Sequence, residues 1–104
     1  MVFWQEEDAM ILNGEAKRLG IFAYFDADGI VDDYVPYLVA EVGKHCAHQV
    51  FVVNGILTKE SEARVQATGV QLLYRENHGF DITAYREGLL SQDLDGYDEI
   101  LFYN

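Results

Sequence analysis

Positive charge is scarce in this chain: seven lysines and arginines stand against eighteen aspartates and glutamates, a formal net charge of −11. Nucleic-acid binding draws most of its affinity from cationic contacts to phosphate, so this composition argues against a nucleic-acid partner. An anionic membrane surface would repel the chain for the same reason. Any anionic ligand must be met locally, by Arg75, Arg86, backbone amides or a metal ion. Cysteine is scarcer still. Cys46 alone excludes an intramolecular disulfide and leaves no cysteine cluster for zinc. Its spacing puts it on the apolar face of a helix, as a small buried thiol. No apolar run is long enough to span a bilayer. Glu6, Glu7 and Asp8 stand where a signal peptide carries positive charge, which makes the cytosol the expected compartment.

What is present is apolar and aromatic. Half of the 104 residues are hydrophobic and 13% are aromatic, enough for one folded domain with a modest core and too much for a disordered chain. Residues 1–18 are read as a lead-in or short helix, because Phe3, Trp4, Met10, Ile11 and Leu12 fit no clean period. From residue 19 to residue 104 the pattern is that of a single α/β domain. Ile21-Phe22-Ala23-Tyr24-Phe25 reads as a strand covered on both faces. Asp26-Ala27-Asp28-Gly29 ends it in turn chemistry. Val31, Tyr34, Val35, Leu38, Val39, Val42 and Cys46 then recur at helical spacing. Asp32 or Asp33 is the candidate cap of that helix, and the lone proline, Pro36, falls in its first turn. His45 and His48 are placed at its end.

Gln49–Val53 reads as a second strand, closed by Asn54-Gly55. Thr58 caps a short helix that opens with Glu60 and Glu62 and stops at Gly69. Val70–Tyr74 is a third strand. Asp81 is placed to cap a helix buried through Ile82, Tyr85 and Leu89. Asp95-Gly96 turns the chain into a fourth strand, Glu99–Tyr103. Strands alternating with helices imply a three-layer α/β/α, Rossmann-like domain with a mostly parallel sheet of about four strands. The last strand closes at Asn104 without a covering helix. The expectation is therefore one half of a larger domain, with an open edge suited to self-association.

Ligands of open α/β sheets bind at the carboxyl ends of the strands. Three such ends carry turn and polar residues: Asp26 to Gly29, Asn54-Gly55, and the loop Arg75-Glu76-Asn77-His78-Gly79-Phe80-Asp81. The loop gathers more donors and acceptors than a plain connector needs. An arginine fork can chelate phosphate oxygens, and a glycine lets a ligand approach the backbone. Plainer roles compete: Asp81 as a helix cap, Arg75 paired with a neighbouring acid, and Asn77 to Gly79 as a turn.

Two families share these patterns. Phe25-Asp26-Ala27-Asp28-Gly29-Ile30-Val31-Asp32-Asp33 resembles the opening motif of haloacid-dehalogenase-type phosphatases, which implies Asp26 as nucleophile and Asp28 as acid and base. Val53 departs from that family's second motif, which needs a hydroxyl residue there. The longer match covers Arg18 to Asn104, which resembles the rhamnan synthesis protein F family of bacterial polysaccharide assembly. It is carried by Ile21-Phe22-Ala23-Tyr24-Phe25-Asp26, Asp28-Gly29-Ile30-Val31-Asp32-Asp33-Tyr34-Val35, Val53-Asn54, and the Arg75 to Asp81 loop with Tyr85 and Gly88-Leu89.

The same layout resembles the front half of inverting glycosyltransferases with a single Rossmann-like sheet, so together the two resemblances imply the nucleotide-sugar-binding part of a glycosyltransferase of rhamnan or lipopolysaccharide synthesis. The implied substrate-binding residues are Asp26, Asp28, Asn54, Arg75, Asn77, Gly79 and Asp81. Asp26 and Asn54 would border the nucleoside, Arg75 would meet base or phosphate, and Asp81 would meet ribose or sugar. The implied partners are a nucleotide sugar such as dTDP-rhamnose and a glycan acceptor, with the full-length protein working at the inner face of the membrane. Mg²⁺ or Mn²⁺ would hold the leaving diphosphate there. No metal ligand and no catalytic base is assigned on these residues, so the isolated chain is expected to be inactive. A third class, a binding or scaffold domain that keeps the fold without the chemistry, remains beside these two.

Overall fold

The computed structural model describes residues 2–3, 16–76 and 81–104. Its sheet has five strands, β1 (Val2–Phe3), β2 (Arg18–Tyr24), β3 (His48–Asn54), β4 (Gln71–Arg75) and β5 (Glu99–Tyr103). They lie in the order β1-β5-β2-β3-β4, and every neighbouring pair is parallel. The four strands read from the apolar runs are all present. The fifth, β1, pairs Val2 with Leu101 and Phe3 with Phe102, a partnership that no local pattern announces.

Three helices fill the connections: α1 (Tyr34–Gly43), α2 (Lys59–Gln66) and α3 (Asp81–Leu90). Side chains alternate across the strands, so each strand feeds two cores. Phe22, Phe51, Val53, Leu101 and Tyr103 pack with Val35, Leu38, Val39 and Val42 of α1 and Val65 of α2. Leu19, Ile21, Ala23, Val50, Val52 and Phe102 pack on the other face with Ala84 of α3. The result is the three-layer α/β/α arrangement, with α1 and α2 on one side and α3 on the other.

The third helix sits on its sheet through small residues. Ala84 is fully buried, and a Cβ at Gly88 would come within 2.6 Å of Ile21 Cγ2. Tyr85 and Leu89 pack only partly buried beside that seam, where the apolar spacing alone would have made them its centre. The first helix also differs in detail. Asp33 occupies the N-cap position but makes no capping bond; its carboxylate instead accepts from Arg64 of α2 at 2.8 Å. Tyr34 points outward, and α1 ends at Gly43, so Cys46 lies past the helix, half-buried. His48 belongs to β3, where its ring meets Gln71 Oε1 at 2.9 Å.

The opposite, amino edge of the sheet is held by a buried cation. Arg18 is 1% exposed, and its guanidinium donates to Glu99 Oε2 and to the His45 carbonyl, both at 2.6 Å. Inside the α1 face, Gln49 donates to the Val39 carbonyl at 2.8 Å and accepts from the Tyr103 hydroxyl. Burial pushes both the Tyr103 phenol and the Cys46 thiol upward, the latter to about 11, so neither carries charge near neutrality.

Candidate functional site

Because all strands run parallel, their carboxyl ends share one edge. The chain moves from β2 outward through β3 to β4, then crosses back to place β5 on the other side of β2. That reversal makes the gap between β2 and β5 a topological switch point, where open sheets of this kind leave a crevice for ligands. Phe25 and Asp26 follow β2 at that point, and Asn104 follows β5.

The loop after β2 is built by its own side chains and by α2. Asp26 Oδ2 accepts from the backbone N–H groups of Asp28 and Ile30, each at 3.0 Å, and the Asp26 carbonyl takes the Gly29 N–H at 3.1 Å. Gly29 turns the chain at φ 70°, where a Cβ would strike the Ile56 carbonyl at 2.4 Å. From α2, the buried Ser61 hydroxyl accepts from Val31 N at 3.0 Å and Arg64 donates to Val31 O at 2.8 Å. The Thr58 N–H reaches the Gly29 carbonyl at 2.8 Å. Both backbone groups of Val31 are thus satisfied from the neighbouring helix. Asp28 stands exposed on this fixed loop.

The strongest meeting of expected site residues is at the ends of β3 and β4. Asn54 and Arg75 are register partners, and the Arg75 guanidinium donates to Asn54 Oδ1. Asn54 is 4% exposed. Strand alternation puts both residues on the α3 face, since Val52 and Leu73, two positions earlier, pack in that core. Phe25 is 49% exposed. The ten-residue helix α3 begins at Asp81, on the same face, and presents its amino end to this edge.

A shallow cleft of about 440 Å³ adjoins the pair, lined by Gly55, Ile56, Tyr74, Arg75 and Glu76. This volume lies within the usual range for small-molecule sites. Ile56 is 83% exposed at its rim. The Tyr74 hydroxyl donates to Glu62, and burial followed by that carboxylate raises the phenol to about 12. The ring is thereby anchored as a neutral wall. A second, smaller cavity of about 140 Å³ lies at the amino edge between Gly43, Cys46, Gln49 and Gly69, away from the expected substrate-binding residues.

Of the expected site residues, Asp26, Asp28, Asn54 and Arg75 stand along the carboxyl edge. Asp81 opens α3 at the same edge, and Asn77 and Gly79 lie outside the described residues. Among the described residues, no group of three or more histidine, cysteine or acidic side chains converges in a way that could hold a metal ion. These side chains alone do not fit a divalent cation. Sequence reading did not single out Phe25, Ser61 or Arg64. Phe25 reads only as strand in the apolar run, and the other two act through contacts distant in sequence.

Fold and edge together define a doubly wound α/β domain with a switch point between β2 and β5. The family described as rhamnan synthesis protein F matches residues 49–104, just over half the chain. The chain belongs to that family, which supports a role in rhamnan synthesis. The match begins at β3, so Asn54, Arg75 and α3 fall inside it and β2 outside. No curated protein and no solved structure matches the chain.

Proposed function

We propose that this domain carries the nucleotide-sugar-binding edge of a glycosyltransferase of rhamnan synthesis. The observation that carries this reading is the Asn54–Arg75 pair, held in register at the carboxyl edge on the α3 face. The same carboxyl edge carries a half-exposed aromatic ring, Phe25, just past β2, and the amino end of a ten-residue helix. An exposed ring offers a face for a base, and a helix amino end favours a diphosphate. The chain's overall negative charge makes such local provision necessary. Transfer to a glycan acceptor also requires a base for the acceptor hydroxyl, and none is assigned among the described residues.

The phosphatase reading asks Asp26 to attack phosphorus. Its Oδ2 is instead engaged by two backbone N–H groups that shape the loop, and α2 fixes the same loop from below. Holding a turn is a sufficient reason for that carboxylate.

Calorimetric titration with dTDP, UDP and dTDP-rhamnose, each with and without Mg²⁺ or Mn²⁺, tests the nucleotide reading. Saturable binding of at least one of them at up to millimolar concentration is expected, weaker in high salt. A folded chain that binds none of them contradicts it.

A further inference from the structure

Asn54 is 96% removed from solvent, yet its carboxamide uses only one of its ends (4% exposed). Arginine donates and never accepts, so its contact with Asn54 fixes Oδ1 toward β4. The trigonal amide then turns Nδ2 away from β4. Among the described residues that nitrogen, with two N–H donors, meets no acceptor. Buried donors in folded proteins are nearly always paired, because stripping water from one without replacement is costly. This orphan lies at the carboxyl edge, on the α3 face, one strand away from the half-exposed Phe25 ring.

We infer that Asn54 is a specificity-determining residue, donating from Nδ2 to a carbonyl oxygen of the ligand's nucleobase, and that Arg75 is its positioning residue. The inference rests on the nucleotide reading above. An uncharged, buried donor suits a flat, neutral ring carrying a keto group. A diphosphate is better served by a cation or by the amino end of α3. The role differs from the one the sequence suggested for Arg75: its guanidinium holds the reading group in place, and the reading is done by its neighbour.

The test uses the whole chain, with dTDP and inorganic pyrophosphate as probes. Asn54→Asp keeps an acceptor for Arg75 and removes the donor, whereas Asn54→Leu removes the donor without adding charge. Circular dichroism and melting establish that each variant folds. Both should lose dTDP affinity about tenfold or more, and Asn54→Leu should leave pyrophosphate affinity within about twofold of wild type. In the wild type, the Asn54 side-chain amide signals should shift on adding dTDP but not pyrophosphate. Arg75→Leu should broaden those signals before any ligand is added, because the carboxamide is then free to turn. A folded Asn54 variant with unchanged dTDP affinity overturns the inference and leaves the nucleotide reading standing. Equal losses for dTDP and pyrophosphate overturn the base contact in favour of a phosphate contact. A wild type that binds neither probe nor any nucleotide overturns both readings.

Discussion

At Gly88 a single hydrogen in place of a methyl group decides how close α3 can lie to the sheet. A Cβ there meets Ile21 Cγ2 at 2.6 Å and Val52 Cγ2 at 3.3 Å, and both partners are fully buried, with no room to move aside. Gly88→Ala should therefore destabilise the domain by about 1–3 kcal/mol, the usual cost of overfilling a packed core. On a chain of this size that is a fall of roughly 5–20 °C in melting temperature. Thermal unfolding of the variant checks it; an unchanged melting temperature would mean that α3 sits further from β2 and β3 than described. The sequence named Gly88 only as part of a resemblance. Its physical reason needed the strand face, because nothing within α3 itself reveals which neighbours it meets. Asn54 was legible as a strand end followed by glycine, but its coupling to Arg75 depends on the β3–β4 register, which spacing does not supply.

Among the elements, α2 does more than cover the sheet. It holds the β2–α1 loop through the Thr58 N–H and Ser61 at its amino end and Arg64 in its last turn, and so fixes where Asp26 and Asp28 stand. Ser61 is 3% exposed, so Ser61→Ala leaves the Val31 N–H buried without its partner. A cost of about 1–3 kcal/mol is expected. Amide exchange at Val31 should accelerate more than exchange in β5, which lies outside this contact; equal effects at both would mean that the loop is not locally dependent on α2. This helix was also the most legible in the sequence. Thr58 accepts from the Ser61 N–H at 3.1 Å as a cap should, and Gly69 ends the following turn at φ 87°. Such signals are local and survive in one dimension. Asp33 shows the limit: it stands at the right position to cap α1, but a charged partner from α2, Arg64, takes its carboxylate. Two-residue β1 was invisible for a related reason, since its pairing with β5 spans nearly the whole chain.

For the molecule as a whole, the two edges of the sheet have different chemistry. The amino edge is held by the buried Arg18, which donates to Glu99 and to the His45 carbonyl. The carboxyl edge carries the switch point, the larger cleft, exposed Phe25 and Ile56, and a buried amide with an unused end. That asymmetry is the physical basis for placing a nucleotide there. Apolar runs and turn residues made the layered architecture and the strand ends readable in advance. The order β1-β5-β2-β3-β4, which brings the scattered strand ends along one edge, came only from the assembled sheet. The most direct measurement is a two-dimensional amide NMR titration of the uniformly labelled chain with dTDP. The account predicts shifts at Phe25, Asp26, Asn54, Arg75 and the first turn of α3, with the amino-edge cavity around Cys46 and Gly69 silent. Shifts confined to that amino-edge cavity, or none at the carboxyl edge of a folded domain saturated with nucleotide, would contradict it.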